Sequence, residues 1–113
     1  MIKQLGASED LARVVKSKKM RAGQGKYRYS RFTMRKGPLV VYNDEDNSMK
    51  RAARNLPGVD TCSVNALNLL QLAPGGHIGR FIIYTKAAFE ALDKIFGTYS
   101  SKGVEKNGYQ LMR

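Results

Sequence analysis

The chain has few of the residues on which many small proteins depend for stability or chemistry. Its 113 residues include one cysteine, one histidine and three prolines. The single cysteine, Cys62, excludes an internal disulfide, and one thiol cannot build a zinc site. Because its surroundings, VDTCSV, are typical of a β-strand, we expect Cys62 to be a small buried apolar residue.

Long apolar segments are also absent. No stretch approaches the roughly 20 consecutive apolar residues that a transmembrane helix requires, and there is no basic amphipathic helix with bulky aromatic residues. The first residues, MIKQLGASED, lack the apolar centre of a signal peptide. We therefore expect a cytosolic or nuclear protein that makes no contact with a membrane.

Acidic residues are missing from almost a third of the chain. Between Arg13 and Asn43 there are ten Lys and Arg residues and no Asp or Glu, and the whole chain has a formal net charge of +11. Such a run cannot be buried, because each unpaired buried ion costs several kcal/mol. The glycines and aromatic residues within it favour RNA, since flexible backbone approaches phosphates and rings stack on bases. The alternative is a basic surface that serves only solubility, although such surfaces normally mix both signs.

The order of predicted elements is that of an α/β fold, with a small parallel sheet, flanking helices and a basic extended arm. Helices are predicted over residues 8–17, 49–56 and 86–96, a short capped segment over 66–72, and strands over 39–42, 59–64 and 81–85. The continuous apolar run 39–42 fits a strand covered on both faces. We divide the chain into an N-terminal helix (1–17), a basic RNA-binding arm (18–36), an α/β core (37–99) and a polar tail (100–113). Ser8 and Asn65 are expected to cap helices, and Phe89 to lie on the apolar face of the last helix. Three strands make a thin sheet, so we expect part of a larger domain.

Gly23-Gln24-Gly25-Lys26 resembles a shortened phosphate-binding loop but fails the test for one. A Walker loop has four residues between its glycines and a Ser or Thr after the lysine, whereas Tyr27 follows Lys26 here. The same residues suit RNA phosphates, which the backbone amides and Lys26 would contact. A nucleotide-binding α/β enzyme nevertheless stays an alternative, and a module that binds acidic proteins is a second one.

A second glycine-rich stretch, from Gly75 to Arg80, contains the only histidine. His77 has no obvious nucleophile and orienting acid beside it, so we expect it to contact RNA or form a hydrogen bond rather than act in catalysis. Arg80 would offer a guanidinium fork to a phosphate. Tyr27, Tyr29 and Phe32 are candidates for stacking on bases.

Fourteen residues are therefore candidates for RNA binding, and none is predicted to act in catalysis or hold a metal. The candidates are Lys18, Lys19, Arg21, Lys26, Tyr27, Arg28, Arg31, Arg35, Lys36, Lys50, Arg51, Arg54, His77 and Arg80. Lys50, Arg51 and Arg54 enter because they share the polar face of one predicted helix. No cofactor and no small-molecule substrate is expected.

Five stretches in the same order closely resemble the eukaryotic branch of the large-subunit ribosomal protein L-four family. They are MRAGQGKYRYSR, KGPLVVYN, RAARNLPGVD, NALNLLQLAPGGHIGRF and TKAAFEALDKIFGTY. The basic residues of 18–36 match the basic block of the family, Arg51 and Arg54 match its RAARN segment, and 75–80 match its GGHxGR block. Tyr29 and Phe32 depart from the residues that relatives often have there.

The resemblance implies a structural ribosomal protein with an α/β domain seated on large-subunit ribosomal RNA, beside neighbouring ribosomal proteins. It also implies location in the cytoplasmic ribosome and assembly in the nucleolus. Family members have a long loop that reaches the peptide exit tunnel, and this loop lies upstream of the RAGxGKxR block. We therefore expect the chain to correspond to the C-terminal part of the globular domain, without the tunnel loop.

Overall fold

The computed structural model describes residues 4–28, 30–44 and 47–108. The helices are α1 (Ser8–Lys16), α2 (Asn47–Ala53), α3 (Leu69–Leu72) and α4 (Lys86–Phe96). The strands are β1 (Lys19–Met20), β2 (Phe32–Thr33), β3 (Leu39–Tyr42), β4 (Asp60–Ser63) and β5 (Ile82–Tyr84). No helix among the described residues is long and apolar enough to cross a membrane.

The last three strands form the predicted parallel sheet, in the order β4-β3-β5. Leu39 pairs with Asp60 on one side and Ile82 on the other, so all three strands begin at the same edge. All four residues of β3 are buried, which is why its sequence is a continuous apolar run rather than an alternating one. The predicted parallel sheet is confirmed, and so is the covering of the run 39–42 on both faces.

Each face of the sheet has its own apolar cluster, because successive strand residues point to opposite faces. Leu39 and Val41 pack with Cys62 and α4 on one face, whereas Val40 packs with residues of α2 and Leu11 on the other. Cys62 is buried as predicted, and burial raises the pKa of its thiol. The placement of Phe89 on the apolar face of α4 was wrong. Phe89 is 65% exposed, and its ring lies edge-on to that of Tyr84, with 6.0 Å between the ring centroids.

Two of the predicted helix caps were wrong, although the helices themselves are present. α1 begins at Ser8 and is preceded by Ala7, which provides no side-chain cap. At α3 the cap is Asn68, whose Oδ1 accepts a hydrogen bond from the Gln71 amide at 3.0 Å. Asn65 instead donates its side-chain amide to Asp44, with an Nδ2–Oδ2 distance of 2.9 Å.

Residues 18–36 were predicted to be extended or loop-like, and they instead form a short hairpin. β1 pairs with β2 in antiparallel register, Met20 opposite Phe32. The backbone amide of Arg21 donates to the carbonyl of Arg31 at 2.9 Å, and Gln24–Tyr27 form a single 3₁₀ turn. Backbone hydrogen bonds hold this unit together, and the two-residue strands leave no alternating side-chain pattern to detect. We call residues 18–36, apart from the undescribed position 29, the basic hairpin.

The described part of the tail packs against the end of α4. The amides of Val104 and Lys106 donate to the carbonyls of Lys94 and Ile95, at 2.8 and 3.0 Å. Gly103 is buried in this turn. The segment therefore has no helix or long strand, as predicted, but it satisfies carbonyl groups that the end of a helix leaves without partners. Residues 109–113 of the predicted tail lie outside the described residues.

Candidate nucleic-acid interface

Three charged side chains meet at the edge of the sheet where the parallel strands begin. Lys36 precedes β3, Asp60 opens β4 and Arg80 precedes β5. Asp60 Oδ2 accepts hydrogen bonds from Arg80 Nη2 at 2.6 Å and from Lys36 Nζ at 3.0 Å. Arg80 also donates to two carbonyls, from Nη1 to Gln71 at 2.7 Å and from Nε to Gly37 at 2.9 Å. We call this arrangement the Arg80–Asp60–Lys36 cluster.

Arg80 was predicted to contact an RNA phosphate, whereas in this fold its guanidinium meets protein acceptors. Its side chain is 4% exposed, and all three guanidinium nitrogens are engaged by protein acceptors. Burial raises the pKa of Asp60, but hydrogen bonds from Arg80 and Lys36 outweigh it and hold that pKa below its usual range. Asp60 is therefore ionised at neutral pH. The sequence contained a signal for the pairing of Arg80 with Asp60, because Asp60 is the only acidic residue between Asn47 and Phe89.

A basic concavity lies between α1 and the basic hairpin, and we call it the α1–hairpin cleft. It has a volume of about 480 Å³ and is lined by Arg13, Lys16, Ser17, Lys19, Thr33, Met34 and Arg35. Four of these residues are cations and none is acidic. Ser17 joins the two walls, because its Oγ donates to the Val14 carbonyl at 2.5 Å and accepts from the Arg35 amide at 3.0 Å.

Sequence reasoning found only half of the cations in this cleft. Lys19 and Arg35 were candidate RNA-binding residues, whereas Arg13 and Lys16 were counted in the acid-free run but placed in the N-terminal helix and not among the candidates. Both occupy the last turn of α1, where a positive side chain also interacts favourably with the helix dipole. Arg13 forms an exposed ion pair with Asp10 at 3.4 Å, one turn earlier in the helix.

The other candidates of the basic hairpin remain on its surface. Lys18, Arg21, Tyr27, Arg28 and Arg31 are exposed, and Lys26 is half-buried. The ammonium of Lys18 lies 5.1 Å from the ring centroid of Phe32, and that of Lys26 lies 5.2 Å from that of Tyr27. The predicted stacking role of Tyr29 concerns a residue outside the described ones. In a Walker loop an α-helix follows the loop directly. Here no α-helix begins at the Gln24–Tyr27 turn, and the next described helix along the chain is α2.

A second basic concavity adjoins α2. It has a volume of about 320 Å³ and is lined by Lys50, Arg51, Arg54 and Thr61, so the structure brings the three predicted cations of this helix together. His77 is exposed in the loop after α3 and lines neither concavity. The candidates therefore divide into two basic concavities and an exposed hairpin surface, with His77 apart from them and Arg80 buried in the Arg80–Asp60–Lys36 cluster.

The opposite edge of the sheet carries a carboxylate. Asp44 follows β3, and hydrogen bonds from Ser63 and Asn65 hold its pKa below the usual range. Open α/β sheets bind nucleotides at this carboxyl edge, where Asp44 would repel a phosphate. Within the described residues, no group of three or more His, Cys, Asp or Glu side chains is placed to hold a metal ion.

Comparisons with known proteins identify the family. A model of the "Ribosomal protein L4/L1 family" matches residues 3–95. The chain is 61% identical over 112 residues to the large ribosomal subunit protein uL4 of Tetrahymena thermophila, covering 99% of this chain and 27% of that protein. It is 57% identical over 111 residues to uL4 of Candida albicans, covering 98% and 30%, so it spans less than a third of these relatives. The chain belongs to the ribosomal protein L4/L1 family.

Proposed function

We propose that the chain is a non-catalytic structural component of the large ribosomal subunit that binds ribosomal RNA through the α1–hairpin cleft. The cleft carries this proposal, because it gathers four cations and no carboxylate on a chain of net charge +11. A polyanion is the ligand that such a site recognises. The names of its relatives, large ribosomal subunit protein uL4, support ribosomal RNA as that polyanion.

Binding would proceed mainly through phosphates. Each Lys or Arg that meets a phosphate releases condensed counterions, which makes the affinity depend steeply on salt. Such contacts fix the position of the chain but carry no base identity. The exposed ring of Tyr27 would add stacking on an unpaired base, and the α2 concavity would contribute further phosphate contacts.

The cellular setting follows from the same proposal. As a component of the large subunit, the chain would contact neighbouring ribosomal proteins as well as RNA, reside in the cytoplasmic ribosome and be assembled in the nucleolus. Its role would lie in assembly and translation through RNA structure, with no chemical step of its own.

The two alternatives make different predictions. A nucleotide-dependent enzyme would bind ATP or GTP and lose that binding in Lys26→Ala, yet Asp44 stands at the sheet edge where nucleotides bind. A module for acidic proteins would keep its partners after RNase treatment. No observation on the described residues favours either of them over RNA.

The proposal is tested by measuring binding of the chain to fragments of its own large-subunit RNA and to unrelated RNA across a salt series. If the four cleft cations each meet a phosphate, log K falls against log salt with a slope of about −3 to −4 or steeper. One large-subunit fragment should bind more tightly than unrelated RNA. Equal affinity for every RNA, or no binding at moderate salt, would contradict the proposal.

A further inference from the structure

We propose that Asp60 and Arg80 are positioning residues that set RNA affinity without touching RNA, by fixing the base of the basic hairpin to the sheet. This inference rests on the proposed function, since it concerns the same RNA-binding surface. It reverses the role that the sequence suggested for Arg80, from a phosphate ligand to a support for the residues that are ligands.

The Arg80–Asp60–Lys36 cluster attaches to the chain where the basic hairpin ends. Lys36 is the last residue of the basic hairpin and directly follows Arg35, which lines the α1–hairpin cleft. Asp60 holds the Lys36 ammonium at 3.0 Å and the Arg80 guanidinium at 2.6 Å. Arg80 in turn donates to the carbonyl of Gly37 at 2.9 Å. The segment that leaves the hairpin is therefore held at two consecutive residues, through the side chain of Lys36 and the backbone carbonyl of Gly37.

The same cluster connects the hairpin base to three elements of the core. Arg80 precedes β5, Asp60 opens β4, and the Gln71 carbonyl that accepts from Arg80 lies in α3. The amide of Gly37 adds a backbone hydrogen bond to the Gly58 carbonyl at 2.8 Å. A guanidinium with fixed donors in one plane suits this multiple attachment, whereas an ammonium does not.

The charge of Asp60 separates a positioning role from a purely electrostatic one. A carboxylate among so many cations weakens attraction for RNA, so charge alone predicts that removing Asp60 tightens binding. A positioning role predicts the opposite result, namely that RNA binding becomes weaker when Asp60 is removed. Without Asp60 the hairpin base samples arrangements that do not bind, and the apparent affinity falls with the fraction of chains that remain competent.

Asp60→Asn separates these predictions, and Asp10→Asn is its matched control. Both substitutions remove one carboxylate beside a cation of the interface. Among the described residues, however, Asp10 forms its ion pair with the exposed Arg13 of its own helix, at 3.4 Å. We expect RNA affinity to fall about five- to tenfold in Asp60→Asn and to stay level or rise slightly in Asp10→Asn. The salt slope should remain that of the parent in both, because no phosphate contact is lost.

Hydrogen exchange at the Gly37 amide supplies a readout that does not need RNA. Exchange there should accelerate in Asp60→Asn and not in Asp10→Asn, while the circular dichroism of both variants stays that of the parent. If Asp60→Asn fails to fold, Arg80→Lys replaces it. This variant keeps the positive charge but loses the attachment through three nitrogens. RNA affinity should again fall, with the salt slope unchanged.

The outcomes distinguish the two levels of the proposal. Weaker binding at an unchanged slope, with faster Gly37 exchange, supports the positioning role. Equal or tighter binding by a folded Asp60→Asn or Arg80→Lys variant overturns it and leaves the proposed function intact. Failure of the parent chain to bind RNA overturns the proposed function and this inference together.

Discussion

Replacing Lys16, Lys19 and Arg35 together by glutamine is expected to weaken RNA binding about 30- to 300-fold at about 150 mM salt. These residues are three of the four cations of the α1–hairpin cleft. Each lost phosphate contact also lowers the steepness of the salt dependence by about 0.7 to 0.9, so the slope should become shallower by about 2 to 3. Binding isotherms at several salt concentrations measure both quantities.

A matched triple variant controls for net charge. Lys86, Lys94 and Lys102 are exposed residues of α4 and the tail, and replacing them by glutamine lowers the net charge from +11 by the same three units. RNA affinity should fall less than about fivefold in this variant, because only long-range attraction is reduced. Equal losses in the two triple variants would show that net charge, rather than the cleft, determines binding.

Gly58→Ala is expected to lower the free energy of unfolding by about 2 to 4 kcal/mol, a large effect for a single methyl group. Gly58 has a φ of +75°, and a Cβ there would overlap Cγ1 of Val14, a buried residue of α1. Its carbonyl also accepts the Gly37 amide at 2.8 Å. The extra methyl group would push α1 away from the contact between the start of β4 and the base of the hairpin. Chemical denaturation of parent and variant measures the loss.

Gly6→Ala isolates the contribution of backbone strain. Gly6 has the same φ of +75°, but a Cβ there would meet no atom within 4 Å. We expect a loss of about 1 to 2 kcal/mol at that position, from the left-handed conformation alone. In the Gly58→Ala background, Val14→Ala should cost less than it does in the parent, because it removes the overlap. Equal losses for Gly6→Ala and Gly58→Ala would contradict the packing account.

The parts of the fold that hydrophobic pattern determines could be predicted from the sequence. The run from Leu39 to Tyr42 indicated a strand covered on both faces, and the spacing of Ala88, Leu92 and Ile95 indicated α4 up to Gly97. Such residues are buried because their side chains are apolar and because they recur at a regular spacing along the chain. The same reasoning placed Cys62 correctly.

The features that depend on tertiary contacts could not be predicted in this way. The hairpin of residues 18–36 is held by backbone bonds between two-residue strands, which leave no periodic signal. Arg80 follows a glycine-rich stretch and so looked like a surface residue, yet the convergence of strand starts brings it to Asp60. Arg13 and Lys16 belong to the cleft only because α1 packs beside the hairpin, a contact that no local pattern encodes.

Lysine-selective chemical modification with and without bound large-subunit RNA tests the central claim most directly, residue by residue. If the α1–hairpin cleft holds RNA, Lys16 and Lys19 should lose most of their reactivity on binding. Lys86 and Lys94, on the exposed surface of α4, should keep theirs. Protection of Lys86 and Lys94 with continued reactivity of Lys16 and Lys19 would contradict the claim and place the RNA on the other face of the sheet.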